Sequence, residues 1–402
     1  MSDVRESGFK ERTRVEAARE KLLDIAPIDR TERVSLSVCD GRTLAEPVDA
    51  ARNVPHYPRA AMDGWAVRAE DTFGASDRSP AILRPGDAVG SDTATRVHTG
   101  SELPEGADAV VMVEQTEQLA GDLEVFDAVA EGENVAPIGE DVEEGQRLYD
   151  PGHQLRPSDL GLLKATGIDT VEVVAEPEVA VVPTGEELVQ ADPEPGEVIE
   201  TNRFTVSRLA ERWGADVTRR NIVTDDHEAL RAAVQRDLTR DVVVTTGGSS
   251  VGERDLIPEV VDELGEILVH GVALKPGHPV ALGRVQDTTV VMLPGYPVAA
   301  IVNAVQFLRP LIKHLGRMPL NPPPTREATL SRKIRSEPGV RTFVRVKLDE
   351  TDDGLEATPT RASGSGVLSS VALADGWVVV EESREGIPEG ETVAVQNWEY
   401  HE

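Results

Sequence analysis

Residues 176–317 carry the strongest constraint on what this chain can fold into. Val-rich runs (EVAVVPTG, ADVTRRNIV, DVVVTTGG, TTVVMLPG) alternate there with helix-forming segments (RFTVSRLAERWG, DDHEALRAAVQRDL, LIPEVVDELG, PVAAIVNAVQFLRPLIKHLG). Strands that are apolar on both faces must be covered on both faces, and the intervening helices supply that cover. A parallel sheet in an α/β layer is expected. Ligands of such sheets sit beyond the carboxyl ends of the strands, where helix N-termini point. Four loops therefore come first as places for chemistry: PTGEE (183–187), VTDD (223–226), TTGGSSVGERD (245–255) and LPGYP (293–297).

In TTGGSSVGERD, Gly247 and Gly248 lack Cβ atoms. Their backbone N–H groups can close on an anion beside the hydroxyls of Ser249 and Ser250. Asp255 stands at the mouth of the next helix, where a carboxylate can hold a divalent cation or orient water; a glycine turn with a capping Asp is the plainer alternative. There is no Gly-Lys-Ser/Thr, so this is not a Walker A loop. Thr184, Gly185, Glu186 and Glu187 form a similar loop, although two acids there could simply cap a helix. Asp225 and Asp226 before HEAL share that ambiguity. Gly295 in LPGYP leaves backbone donors open to an anion. In VALKPGHPVALG, Lys275 and His278 sit in a Pro/Gly-stiffened loop, either as oxyanion donors or as solvated turn residues.

The flanks read differently. Residues 14–26 have helical spacing (Val15, Ala18, Leu22, Ile25) and end at Pro27. Residues 34–150 are short β runs between Gly/Pro turns, a barrel-like or irregular β lobe. Within it, Asp63 in AAMDGWAVR, Thr99 in HTGSELPEGADAVV and Asp141 in GEDV occupy turns. PSDLGLLKATG should be a helix capped by Ser158 and closed by Gly167. After the stiff linker MPLNPPP, residues 325–402 read as a small β domain. The domains expected are 14–175 (helical linker parts 14–33 and 151–175 around the β lobe), 176–317 and 325–402.

Charge narrows the function. Asp and Glu number 72 against 41 Lys and Arg, a formal net charge of −31, and only seven cations are lysine. That excess argues against nucleic acid and anionic membranes as partners, and an anionic ligand must be met by local positive charge. The acids are spread along the chain, as on surfaces suited to molar salt, where the Debye length is roughly 3 Å. A single cysteine, Cys39, excludes an internal disulfide and a cysteine-cluster zinc site. The longest apolar stretch, 290–305, is broken by Pro294, Gly295 and Pro297, and the N-terminus lacks a signal-like apolar run, so a cytoplasmic location is expected.

Taken together, AAMDGWAVR, HTGSELPEGADAVVMVE, GEDV, VPTGEEL, TNR (201–203), TTGGSSVGERD, ALKPGHP, LPGYPVAA and SGSGVLSS resemble the molybdopterin molybdenumtransferases (MoeA and the C-terminal domain of gephyrin) in that family's order. The resemblance implies a multi-domain fold: a central α/β molybdopterin-binding domain, an irregular N-terminal β-rich region and a C-terminal β-barrel. It implies a homodimer whose active site lies between the α/β domain of one subunit and the N-terminal region of the other. The reaction implied is Mg2+-dependent insertion of molybdate into adenylylated molybdopterin with release of AMP. By motif match, Asp63, Thr99, Asp141, Glu187, Asp226 and Asp255 would line the cleft, with Asp63, Glu187 and Asp255 catalytic. Asp255 and Asp226 would place Mg2+. Thr184, Gly247, Gly248, Ser249 and Gly295 would bind substrate, and Lys275, His278, Pro279, Arg345 and Ser365 would form the molybdate pocket.

Two departures stand out. The family usually reads Lys-Pro-Gly-Lys-Pro where His278 stands here, and Pro-Gly-Asn-Pro-Val-Ser where Tyr296 and Ala299 stand. The pocket should therefore hold one permanent cation and one hydroxyl fewer. A molybdopterin adenylyltransferase and a non-catalytic pterin-binding scaffold remain as alternatives. The implied partners are an upstream adenylyltransferase and downstream molybdoenzymes.

Overall fold

The structure, a computed structural model, describes residues 12–247, 256–360 and 364–400. The first helix, α1 (Val15–Leu23), buries Val15, Ala18 and Leu22 as the spacing predicts, but it ends at Asp24, short of Ile25 and Pro27. The chain divides into two compact units: Glu32–Val173, and the residues through Thr31 together with those from Val174 onward.

In the Glu32–Val173 unit, short strands β1 (Gly64–Val67), β2 (Ala81–Pro85), β3 (Thr93–Val97), β4 (Ala109–Met112), β5 (Thr116–Leu119) and β6 (Asp122–Val125) form one sheet in the order β4-β1-β3-β2-β6-β5. Trp65, Val67, Leu83, Val111 and Leu123 fill one side of it. Helix α2 (Pro157–Ala165) corrects one expectation. Ser158 lies inside the helix, while Arg156 is the cap residue and its N–H donates to the Asp159 carboxylate at 3.0 Å. With Pro157 at the first helical position, the acid two residues later can fold back onto the cap.

The second unit contains the α/β layer. Its strands are β7 (Glu178–Pro183), β8 (Asp216–Arg219), β9 (Val242–Thr246), β10 (Glu266–His270), β11 (Ala281–Val285) and β12 (Thr288–Leu293). They run in the order β8-β7-β9-β12-β11-β10. The first four of that order are parallel; β11 and β10 add as an antiparallel hairpin, so the sheet is mixed. Alternate residues reach opposite faces, as strand geometry demands. Val179, Val181, Val242, Val244 and Val291 pack with α1, with α3 (Asn202–Arg212) and with the last helical segment. Val182, Val243, Val290 and Met292 pack against α4 (His227–Arg236) and α5 (Leu256–Leu264).

The last helical segment runs from α6 (Pro297–Asn303) through a π-turn (Ala304–Leu308) into α7 (Arg309–Leu315). Pro310 lacks the N–H that an uninterrupted α-helix would require, which accounts for the widened turn.

The C-terminal strands are β13 (Thr325–Leu330), β14 (Ile334–Arg335), β15 (Arg341–Thr351), β16 (Gly354–Pro359), β17 (Gly376–Val380), β18 (Gly386–Ile387) and β19 (Thr392–Gln396). The pairings β15-β16-β13-β19-β17 return to β15, closing a five-stranded barrel. Between barrel and helices Phe343 meets Trp377 edge-on and Trp377 stacks on Trp398, with ring centroids 5.2 and 5.0 Å apart. Three of only 14 aromatic residues are concentrated there.

Candidate active site

The carboxyl ends of the parallel strands form one crest. Thr184 follows β7, and its N–H donates to the Thr246 carbonyl at 3.0 Å. Gly247 follows β9 at φ 108°, and a Cβ there would lie 2.1 Å from the Thr184 carbonyl oxygen, so only glycine fits. Gly295, after β12, lies beside Gly247, and its carbonyl accepts from Asn202 Nδ2 at 2.6 Å. Thr184 is buried, and its hydroxyl has no hydrogen-bond partner among the described residues. The exposed Glu187 folds its carboxylate over Gly185. Asp226 caps α4, accepting from the Ala229 N–H at 2.9 Å. Gly248, Ser249 and Asp255 lie outside the described residues.

A second group surrounds a cleft of about 660 Å3 between the α/β layer and the barrel. Leu274–Lys275 extends the barrel sheet by pairing in parallel with β15, which sets Lys275 beside Thr342. The buried Asn303 donates to the carbonyls of Gly277 and Ala299, both at 2.9 Å, pinning the Lys275–Pro279 loop onto α6. Arg345 comes from the middle of β15 and is buried. The carbonyl of Ser365 accepts from the Val298 N–H at 3.0 Å, at the start of α6. Lys275, His278, Pro279, Arg345 and Ser365 therefore all line one cleft, together with Tyr296 and Ala299, which with His278 depart from the expected pattern.

Among the described residues that lining contains no carboxylate, in a chain with 72 of them. Lys275 reaches Glu337, an acid outside the lining, at 3.2 Å. Burial draws the Arg345 guanidinium below its usual value, though arginine starts far enough above neutrality to stay cationic. His278 is also pushed down, first by burial, then by the charges of Arg12 and Lys275. It is neutral at pH 7, which makes it a conditional cation.

Sequence reasoning missed Lys333, Arg335, Thr342 and Thr360 in this lining. Lys333 carried a usable signal as one of seven lysines, but SRKIRS reads as an ordinary solvated basic stretch.

In the Glu32–Val173 unit, Asp63 precedes β1 and Thr99 follows β3, strands that pair antiparallel. The Asp63 carboxylate accepts from the Thr99 N–H at 2.6 Å and from its hydroxyl at 2.9 Å. Those bonds, the backbone one first, hold its carboxyl below the usual range. Asp63 is exposed, so this acid is ionised and aimed but not sequestered. Asp141 sits in another exposed turn, its N–H bonded to the Val54 carbonyl at 2.9 Å.

Three family models match in succession: MoeA N-terminal region (domain I and II) over 13–167, probable molybdopterin binding domain over 180–314, and MoeA C-terminal region (domain IV) over 327–398. The molybdopterin molybdenumtransferase of Haemophilus influenzae is 32% identical over 95% of this chain and 98% of its own length. That of Bacillus subtilis is 31% identical over 91% and 89%. A crystal structure of the molybdopterin biosynthesis MoeA protein from Pyrococcus horikoshii superposes with a TM-score of 0.81 at 34% identity, covering 96% of this chain and 99% of that one. With domains, order and architecture all matched, this chain belongs to the MoeA family.

Proposed function

We propose that this chain is a molybdopterin molybdenumtransferase acting in molybdenum cofactor biosynthesis. It inserts molybdate into adenylylated molybdopterin and releases AMP. The observation that carries this is the acid-free cleft holding Lys275, Lys333, Arg335 and Arg345. A tetrahedral dianion leaves water only where charged donors replace its hydration, and this lining gathers cations without acids among the described residues of a chain of net charge −31. Lys275 supplies a mobile point charge and Arg345 a fixed fork; Ser365 adds a hydroxyl to the same lining. The crest of Thr184, Gly247 and Gly295 offers backbone and hydroxyl donors suited to a phosphate-bearing ligand. Asp63, Glu187 and Asp255 are assigned to the catalytic side by motif match, and Thr99 and Asp141 to substrate binding.

Mg2+ is a separate matter. Among the described residues no group of three or more His, Cys, Asp or Glu side chains could hold a metal ion. One oxygen of Asp226 is already committed to capping α4. Asp255, the other acid expected to place Mg2+, lies outside the described residues, and dependence on the ion is part of this proposal. We further place the protein in the cytoplasm as a homodimer with an acidic surface suited to high salt. Among the described residues no helix is long and apolar enough to cross a membrane.

The test incubates purified protein with adenylylated molybdopterin, molybdate and Mg2+. AMP released in step with molybdate supports the proposal. ATP-dependent adenylylation of molybdopterin would instead make the chain an adenylyltransferase, and pterin retention without AMP would make it a scaffold.

A further inference from the structure

A second cleft, of about 520 Å3, opens on the barrel side of the first. Its lining includes Ser336, Arg384, Glu385, Gly386 and Pro388, and it shares Lys333 and Arg335 with the cleft just described. The sharing follows from strand geometry. Ile334 is buried in the barrel core, so Lys333 and Arg335, one residue to either side of it, both leave the opposite face. A two-residue ladder with β18 sets Ile334 against Ile387 and Arg335 against Gly386. A Cβ on Gly386 would lie 2.2 Å from the Ile334 carbonyl oxygen, so the approach that holds this wall in place requires glycine. The Ser336 N–H bonds to the Glu385 carbonyl at 2.9 Å, continuing the register.

Both side chains are exposed, and among the described residues neither has an ion-pair or hydrogen-bond partner. The other cations nearby are engaged: Arg384 with Glu391 at 2.8 and 2.9 Å, Lys275 with Glu337, and Arg341 with Glu16, Glu381 and Glu382. Two unpaired cations on a common wall attract an anion from either side without first having to release a carboxylate.

We propose that Lys333 and Arg335 form an outer receiving site for the tetrahedral oxyanion, from which it passes to the Lys275–Arg345 cleft. This rests on the molybdate-inserting function proposed above. The two residues capture substrate and touch no reacting bond, so their effect lies in association and KM. A phosphate of the nucleotide-bearing substrate shares the ligand chemistry, and separate titrations distinguish the two sources.

The experiment compares the unaltered protein with the double variant Lys333→Gln/Arg335→Gln, and with Lys333→Arg/Arg335→Lys, which keeps both charges. Molybdate alone, and AMP alone, are titrated calorimetrically at about 50 mM salt and at 1 M, and AMP release is measured with each substrate varied. The double Gln variant should bind molybdate about tenfold more weakly at low salt and about twofold at 1 M. Its KM for molybdate should rise, so that AMP release at sub-saturating molybdate falls, with the melting temperature unchanged. The charge-keeping variant should behave as unaltered protein. Unchanged molybdate binding in the Gln variant, or a shift confined to AMP and the pterin substrate, overturns the proposal while leaving the function intact. Failure of the unaltered protein to bind molybdate overturns both.

Discussion

The ion pair between Lys275 and Glu337 yields a prediction of unusual sign. The two groups are 3.2 Å apart with side chains 61% and 62% exposed, so the pair itself is worth only about 0.2–1 kcal/mol. A dianion in the cleft competes with Glu337 for the same ammonium. Glu337→Gln removes the competitor and a nearby repulsive charge, so molybdate should bind more tightly, by about 1.4- to 5-fold. Lys275→Ala has the opposite effect. It deletes a charge-assisted hydrogen bond of about 1.5–3 kcal/mol and leaves Glu337 unpaired beside the cleft. Molybdate affinity should then fall by at least about tenfold, and AMP release should be lost with the fold retained. Calorimetric titration of molybdate at about 50 mM salt reads both effects, and the Glu337→Gln gain should vanish at 1 M, where screening removes exposed-charge terms. Weaker binding by Glu337→Gln, or normal turnover by Lys275→Ala, would refute the competition and with it the role of Lys275.

Three further perturbations test other parts of the molecule. Asp159 is buried, which alone would raise its carboxyl, but bonds from Arg156, His153 and Tyr149 hold it well below the usual range. A depressed folded value gives stability that is present above the unfolded value of about 4 and lost as pH falls below it. Melting of the unaltered protein should therefore drop steeply below about pH 4. Asp159→Asn should melt lower at pH 7, by roughly 2–3 kcal/mol, with a flatter acid limb; an identical acid limb would contradict this. His278 is held below its ordinary value, so molybdate affinity should rise on acidification as the ring charges, and His278→Lys should bind more tightly at pH 7 with that pH dependence gone. A pH profile unchanged by His278→Lys would remove the histidine from the site. Gly247→Ala must push a Cβ into the Thr184 carbonyl, so it should lower stability by about 1–3 kcal/mol and abolish turnover; calorimetric melting near that of the unaltered protein would refute the close approach.

The α/β layer was legible because each Val-rich strand shows its burial on both faces, and the helices between them carry a 3.6-residue period. The hairpin β10–β11 was not. Pro276, Gly277 and Pro279 dominate the local pattern, and Gly283 and Arg284 interrupt the apolar run of β11, so the segment reads as a rigid loop. The cap of α2 was missed by two residues, because Ser158 and Asp159 both offer acceptor oxygens and only the position of Pro157 selects between them. The site divides similarly. Lys275 is visible against a background almost without lysine. Arg345, inside RTFVRVKL, is indistinguishable by residue type from 33 other arginines and entered only through family resemblance. Lys333 and Arg335 acquire meaning when Lys275 is set beside Thr342 by strand pairing, a contact across 67 residues that local pattern does not encode.

The acidic surface and the basic cleft make a last prediction about salt. The 72 acids are spread along the whole chain and none of the described ones lines the cleft, whereas Lys275 and Arg345 do. At about 0.01 M salt the Debye length is near 30 Å and the distant acids repel an incoming dianion; at about 0.1 M it is near 10 Å, and they are largely screened while cations in contact are not. At about 1 M, near 3 Å, the outer cations are screened as well. Repulsion and attraction thus disappear over different ranges, and molybdate association should rise with salt before it falls. Stopped-flow association measured from 10 mM to 2 M salt reads this directly. A rate that falls steadily from the lowest salt would mean that the cleft alone sets the field an oxyanion meets, and that the acids act only on the protein's own hydration.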